Sequence, residues 1–234
     1  MMLLKKHFGR RVAGLQPSVL GQCIKNKSLP RFRSVGRQRF VEILNVGDHW
    51  VCVSNIFGDS ITDVFIYDSL YDFVHESTIV QVSSLLREDC SSDEVTFHLR
   101  SFQQQKSGTR TCGFYAAAAA LSCCLKCDPT GHLYDDTLLA SHFHNCMLTD
   151  TFKQFPRIGC NKRKEILRQA SKRHCICHNP SSGEMLLCSS PHCFNWYHAK
   201  CLEITEETIR KMKKVPWFGP CCSETQNSEA IYIK

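Results

Sequence analysis

The sequence predicts an α+β body built on a small mixed sheet with flanking helices, followed by a small module held together by metal. Three observations carry this expectation. Short β-rich runs and helix-period segments succeed one another through residues 1–156. The longest nearly apolar run, Phe114–Leu125, is too short to span a bilayer and so belongs in a core. Seven cysteines and a well-placed histidine then crowd into residues 174–222, too many to be core thiols in so short a segment.

Length and charge set the divisions. The 234 residues suit one ordinary domain and a small one. Residues 1–40 hold ten Lys/Arg and no acid, and residues 41–156 hold six basic and fifteen acidic residues. Residues 157–173 hold seven basic and one acidic residue, and residues 174–234 are balanced. The expected plan is a domain over 1–156, a basic linker over 157–173 and a zinc-type module over 174–223. Met1-Met2-Leu3-Leu4-Lys5-Lys6 lacks the apolar stretch of a signal peptide. An intracellular protein is therefore expected, without membrane partners, its 16 cysteines being metal ligands and buried thiols rather than disulfides. Lys162-Arg163-Lys164 and Lys172-Arg173 read as a nuclear-import signal, and the arm and linker as possible nucleic-acid contacts.

In chain order, Leu3, Leu4 and Phe8 have helical spacing, ended by Gly9. Strands are expected at 40–46, 50–56 and 63–67, the last two joined by Phe57-Gly58-Asp59-Ser60. An antiparallel hairpin centred on that turn sets His49 opposite Asp68, on one face, as a His–carboxylate pair. Residues 75–86 read as a helix, 90–93 as a loop, 95–100 as a strand, and 138–148 as a further helix. Between them Gln103-Gln104-Gln105-Lys106-Ser107-Gly108-Thr109-Arg110-Thr111 runs into Cys112-Gly113-Phe114-Tyr115 and five alanines. A cysteine at a helix start meets unpaired N–H groups and the positive end of the macrodipole, which favour a thiolate. The glutamines can supply N–H donors to an oxyanion, and a His with its Asp can serve the thiol as base. A buried helix-start cysteine with no chemistry is the plain alternative. Cys123, Cys127, His132, His142, His144 and Cys146 could suggest a metal site, but their spacings match no strong zinc pattern, and buried free cysteines are the plainer reading.

The chain order His49, Asp68, Gln105, Cys112, with Trp50 after the His and Tyr67-Asp68-Ser69-Leu70 closing a strand, resembles the ubiquitin-like-protein-specific protease family. That family includes the SUMO deconjugases and the adenovirus protease. The likeness covers 1–156 and is nearest to versions carried by mobile elements. It implies His49 as base, Asp68 as its orienter, Cys112 as nucleophile and Gln105 in the oxyanion hole, with Gln104 as fallback. Trp50 would border the cleft that takes the Gly-Gly tail of a ubiquitin-like modifier. The implied reaction is hydrolysis of a peptide or isopeptide bond through a thioester. Two positions depart from the pattern: Thr111 stands where Asp is usual, and Lys106 where the glutamine is usual. The alternative is a protease-like body without activity.

Downstream, Cys175-x-Cys177, Cys188-x4-Cys193, His198-x2-Cys201 and Cys221-Cys222, with Trp196-Tyr197-His198 and a late Trp217, resemble a PHD (plant homeodomain) finger. The resemblance implies one zinc on Cys175, Cys177, His198 and Cys201, and a second on Cys188, Cys193, Cys221 and Cys222. Gly219 stands where the family has its seventh ligand. It also implies nuclear binding of a histone tail, with Trp196 and Met185 at cage positions for a methylated lysine. His174 and Ser189 occupy places where the family often has Tyr and an acid.

Overall fold

The computed structural model describes residues 1–22, 32–86, 94–177, 179–181, 183–190, 195–220 and 222. The loop expected at 90–93 and the ligand candidates Cys193 and Cys221 lie outside the described residues. The chain divides into two compact units, Met1–Ser171 and Lys172–Lys234. Among the described residues no helix is long and apolar enough to cross a membrane.

The first unit begins with α1 (Met2–Phe8), β1 (Ala13–Gly14) and α2 (Val19–Gln22). Strands β2 (Phe40–Asn45), β3 (Trp50–Ser54) and β4 (Asp63–Tyr67) follow, then α3 (Glu76–Leu85), β5 (Glu94–Arg100) and α4 (Cys112–Cys124). It closes with β6 (His132–Tyr134), α5 (Leu139–Thr149), β7 (Arg157–Cys160) and β8 (Glu165–Lys172). The sheet order is β1-β2-β3-β4-β5-β8, with β6 and β7 as a separate pair. β1 is parallel to β2 and β4 to β5, while β2–β3 and β3–β4 are antiparallel, so the sheet is mixed as expected.

Both faces of the sheet are covered. Val41, Ile43, Cys52, Phe65 and Tyr67 share one core with α4, Leu4, Phe8 and Phe155. Phe40, Leu44, Val51, Val53, Val64 and Ile66 share the other with Ile79, Val82 and Leu85 of α3. Alternation with period two sends neighbouring residues into opposite cores, which is why every residue of β2 is buried. The alanines of α4 keep its backbone close to the sheet, and a helix apolar on nearly all sides is the kind that packs inside. The α4 helix ends where Lys126 takes a left-handed conformation and the Cys127 N–H donates to the Ser122 carbonyl.

Two expectations are corrected. The β3–β4 register sets Cys52 opposite Tyr67 and Val53 opposite Ile66, two residues away from the expected pairing. A shift of two preserves the faces, so His49 and Asp68 still share one. The expected linker 157–173 is largely strand. The Ser101 N–H donates to the Lys164 carbonyl, and Glu165 Oε2 meets His98 Nδ1 at 2.5 Å, so β8 is fastened to the sheet beyond β5.

Glu42 is fully buried in β2. Its carboxylate accepts from the N–H of Gln16 at 3.0 Å and of Ile43 at 3.2 Å, serving the edge where β1 stops pairing. Burial pushes this carboxyl up to about 8, against the opposing pull of those N–H groups and of Lys5. The folded state thus keeps a proton that the unfolded chain releases near 4.5. Glu42 stabilises most below that lower value, and its contribution falls as pH rises towards 8. We expect the wild type to lose on the order of a few kcal/mol between about pH 5 and 8 relative to Glu42→Gln, which keeps an acceptor for both N–H groups. Denaturant unfolding of the two proteins across that range tests this, and a pH-independent difference between them would contradict it.

Candidate functional site

The second unit is built around its sulfur ligands. β9 (Met185–Leu187) pairs antiparallel with β10 (Trp196–His198), followed by a 3-10 turn at Ala199–Cys201 and α6 (Glu206–Met212). The sheet end delivers His198 and the turn delivers Cys201. Cys175 sits in a left-handed conformation, φ 67°, so that the chain doubles back and presents Cys177 beside it. The ligand atoms of Cys175, Cys177, His198 and Cys201 all lie within 4.8 Å of one another. Tetrahedral zinc with thiolate bonds of ~2.3 Å needs sulfurs about 3.8 Å apart, so little closure is required. His198 Nε2 donates to the Pro180 carbonyl at 2.9 Å, and Nδ1 faces Cys177 Sγ at 3.3 Å. The Pro180 bond fixes the tautomer that leaves Nδ1 free to ligate.

Charge in this cluster is frustrated without a cation. Burial works against ionising Cys175, yet N–H groups of Cys177 and His198 hold its thiol below the ordinary value. Burial, then the Cys177 sulfur, push Cys201 up to about 12. A divalent cation removes the conflict, and the donor set of three sulfurs and one imidazole is that of zinc. Among the described residues this is the only Cys/His/Asp/Glu group able to hold a metal.

Of the second ligand set, Cys188 and Cys222 are described, and both belong to the cluster that holds Cys175, Tyr197 and Trp217. Gly219, at the missing seventh position, donates its N–H to Cys188 Sγ at 3.3 Å. A Cβ on Gly219 would stand 2.5 Å from Tyr197 Cε2, and Tyr197 is buried against Trp217. The ring fills the space in which a side-chain ligand would start.

On the β9–β10 hairpin, Trp196 opposes Leu187 and His198 opposes Met185, so all four share one face. Trp196 is 40% and Leu187 42% exposed, whereas Met185 is buried. Leu187 was not among the sequence candidates, although the run Met185-Leu186-Leu187 contains it.

In the first unit, His49 closes the turn before β3, where the Val46 N–H donates to its carbonyl. Asp68 follows β4. Its Oδ1 accepts from the N–H groups of Leu70 and Tyr71 at 2.8 and 3.0 Å and lies 2.7 Å from His49 Nε2. Both side chains are buried, and Tyr71 packs edge-on against the His49 ring. With Nε2–H donated to Asp68, a neutral imidazole presents a lone pair at Nδ1, a buried atom with no hydrogen-bond partner among the described residues.

One cavity of about 790 Å³ is lined by His49, Trp50, Leu70, Gln105, Cys112 and Gly113, together with Leu121, Phe143 and Phe155. Cys112 opens α4, and the Thr111 side chain does not cap that helix but bonds Thr109 Oγ1 at 3.1 Å. A Cβ on Gly113 would meet only Trp50 Cδ1, at 3.9 Å, so the space beside the thiol is open and Trp50 borders it. Gln105 lines the cavity, but its amide N–H is donated to the Thr109 carbonyl at 2.9 Å, while Gln104 donates to the Asp68 carbonyl. His49 and Asp68 are thus in contact, Cys112, Trp50 and Gln105 share the cavity with His49, and neither glutamine directs its N–H at Cys112.

No protein-family model matches the chain, and no solved structure matches it. Curated relatives do. The nucleosome-remodeling factor subunit NURF301 of Drosophila melanogaster is 29% identical over 79 residues, 34% of this chain and 3% of that protein. Inhibitor of growth protein 4 of Gallus gallus is 35% identical over 57 residues, 24% of this chain and 21% of the relative. Inhibitor of growth protein 5 of Homo sapiens is 33% identical over 57 residues, 24% of this chain and 22% of the relative. The chain therefore spans only a small part of these relatives' length. The matches support a PHD finger, and with the Cys/His cluster they support zinc and a nuclear, chromatin-associated setting. They give no support to the protease-like reading of 1–156, whose architecture stands as a mixed α/β unit.

Two outcomes follow from this geometry. Chelation should unfold the second unit, because zinc binding supplies roughly 10–16 kcal/mol in zinc-finger peptides at neutral pH. Proteolytic mapping is expected to show cuts appearing at 172–222 on chelation and disappearing when zinc returns. Gly219→Cys should fail to add a ligand and should destabilise the unit, since its Cβ meets the Tyr197 ring. A rise in zinc per chain in that variant, with unchanged stability, would refute the steric argument.

Proposed function

We propose that the protein is a zinc-dependent reader of a histone tail, acting through the face of β9–β10 that carries Trp196 and Leu187. The observation that carries this is the Cys175, Cys177, His198 and Cys201 set, with His198 oriented by Pro180. The likeness to the inhibitor of growth proteins and to a nucleosome-remodeling subunit supports the choice of partner. Zinc fixes the turn that holds Cys175 and the hairpin end that holds His198, so the exposed indole is presented on a rigid face. A quaternary ammonium over that indole gains about 0.5–2 kcal/mol. Titration of labelled core-histone tail peptides, with and without lysine trimethylation, tests the reading. Trp196→Ala should weaken binding of a trimethylated peptide by roughly 2- to 30-fold, with zinc content unchanged. Failure of every tail peptide to bind the zinc-loaded protein would discard the proposal.

A second reading is favoured by one observation, the His49–Asp68 pair at 2.7 Å beside the cavity that Cys112 lines. In it the first unit is a thiol hydrolase. Cys112 Sγ attacks a carbonyl carbon while its proton passes to His49 Nδ1, and Asp68 holds the imidazole through Nε2. The leaving amine takes that proton, and water then hydrolyses the thioester. The residue order supports a ubiquitin-like modifier as the acyl group. Ubiquitin-like proteins with electrophilic C-termini should label the wild type and spare Cys112→Ala. Without labelling in folded protein, the first unit is a protease-like body that serves the reader without chemistry.

A further inference from the structure

Residues 157–173 carry seven basic residues and one acid, and the structure shows how that acid is used. Glu165 lies 2.5 Å from His98 Nδ1 and 3.9 Å from Arg100, on the side of β8 that meets β5. It neutralises groups of the sheet, not the cations of its own segment. Arg157 is likewise occupied, donating to His132 Nε2 at 2.9 Å. Lys172 and Arg173 belong to the second compact unit, which leaves Lys162, Arg163, Lys164 and Arg168 in the first. All four are exposed, and none forms an ion pair among the described residues. This is notable because the preceding segment, 41–156, holds fifteen acids against six bases. A basic segment with no partner of its own would settle on those carboxylates, and this one does not.

The strand explains why. β8 is the last strand in the sheet order, and the Lys164 backbone is held at both its carbonyl and its N–H by Ser101. The backbone at Lys164 is therefore held against the sheet. Arg168 is three residues from Glu165, so alternation places it on the opposite face of β8. Lys164 and Arg168 are four residues apart, about 13 Å along an extended chain, close to the rise of four base pairs in a duplex. Between them stands Ile166, 43% exposed, with no acid to break the positive run on that side.

We propose that Lys162, Arg163, Lys164 and Arg168 form a binding surface for the phosphate backbone of double-stranded nucleic acid, without sequence preference. The proposal is independent of the histone reading. Three consecutive cations just before β8, with Arg168 about 13 Å beyond Lys164, fit a regular polyanion. An acidic protein segment is the competing occupant, and the experiment separates the two.

The test is fluorescence anisotropy of a labelled 20-base-pair duplex with the zinc-loaded full chain, between 50 and 200 mM salt. Four phosphate contacts predict a slope of log K against log salt of about −3.6. Lys162→Gln/Arg163→Gln/Lys164→Gln/Arg168→Gln should bring that slope close to zero. A charge-matched control, Lys106→Gln/Lys126→Gln/Lys153→Gln/Lys214→Gln, should leave most of it. Circular dichroism melts confirm that both variants fold. Absence of duplex binding, an equal loss in the control, or a slope unchanged in the first variant overturns the proposal. So does a polyglutamate peptide that binds more tightly than the duplex at the same salt.

Discussion

A sheet covered on both faces is the constraint on which the first unit depends. Each apolar residue of β2, β3 and β4 belongs to the core on the α4 side or to that on the α3 side, and a slip of one position would exchange the two sets. The register is therefore held by two cores at once. The same lock fixes the ends of β3 and β4, where His49 and Asp68 stand. Their contact at 2.7 Å is a by-product of core packing, and no flexible loop has to find it. The alanines of α4 extend the argument to Cys112. Larger residues there would lift the helix from β3 and carry the thiol away from the shared cavity.

The second unit obeys a different rule, because it has too little apolar area to hold itself together. Its buried apolar groups form two small clusters, one of which is largely the cysteines themselves. Order comes from fixing a few atoms: the left-handed turn at Cys175, the Pro180 bond to His198, and the Tyr197 ring against Gly219. Here zinc binding bears directly on the exposed hairpin, since the strand that carries Trp196 also carries His198.

What the sequence disclosed follows from these two rules. The faces of β3 and β4 were readable because alternation marks them, whereas the exact pairing was not, because the Phe57–Ser60 turn leaves room for a shift of two. The zinc ligands were readable because thiols at short spacing have few other uses in so small a segment. β1, of two residues, and β6, of three, carry no periodicity and were invisible. β8 was hidden by its charges: Ile166 and Leu167 are adjacent rather than alternating, and the basic residues around them read as linker. Only the partners Ser101 and His98, distant in sequence, reveal it as strand.

The glutamine loop shows where residue identity alone misleads. Three successive amides preceding Cys112 look like a supply of oxyanion donors. In the fold each has an employer: Gln103 binds the Tyr134 carbonyl and Asp136, Gln104 the Asp68 carbonyl, and Gln105 the Thr109 carbonyl. They brace the loop and, through Asp68, the His49 support. On the proposed hydrolase reading, anion stabilisation at Cys112 would fall to the start of α4, where Thr111 makes no side-chain cap. His49 and Asp68 are thus positioned by the core, and the N-terminus of α4 is the polar feature beside Cys112. The Thr111 carbonyl, rather than its side chain, takes the N–H groups of Phe114 and Tyr115.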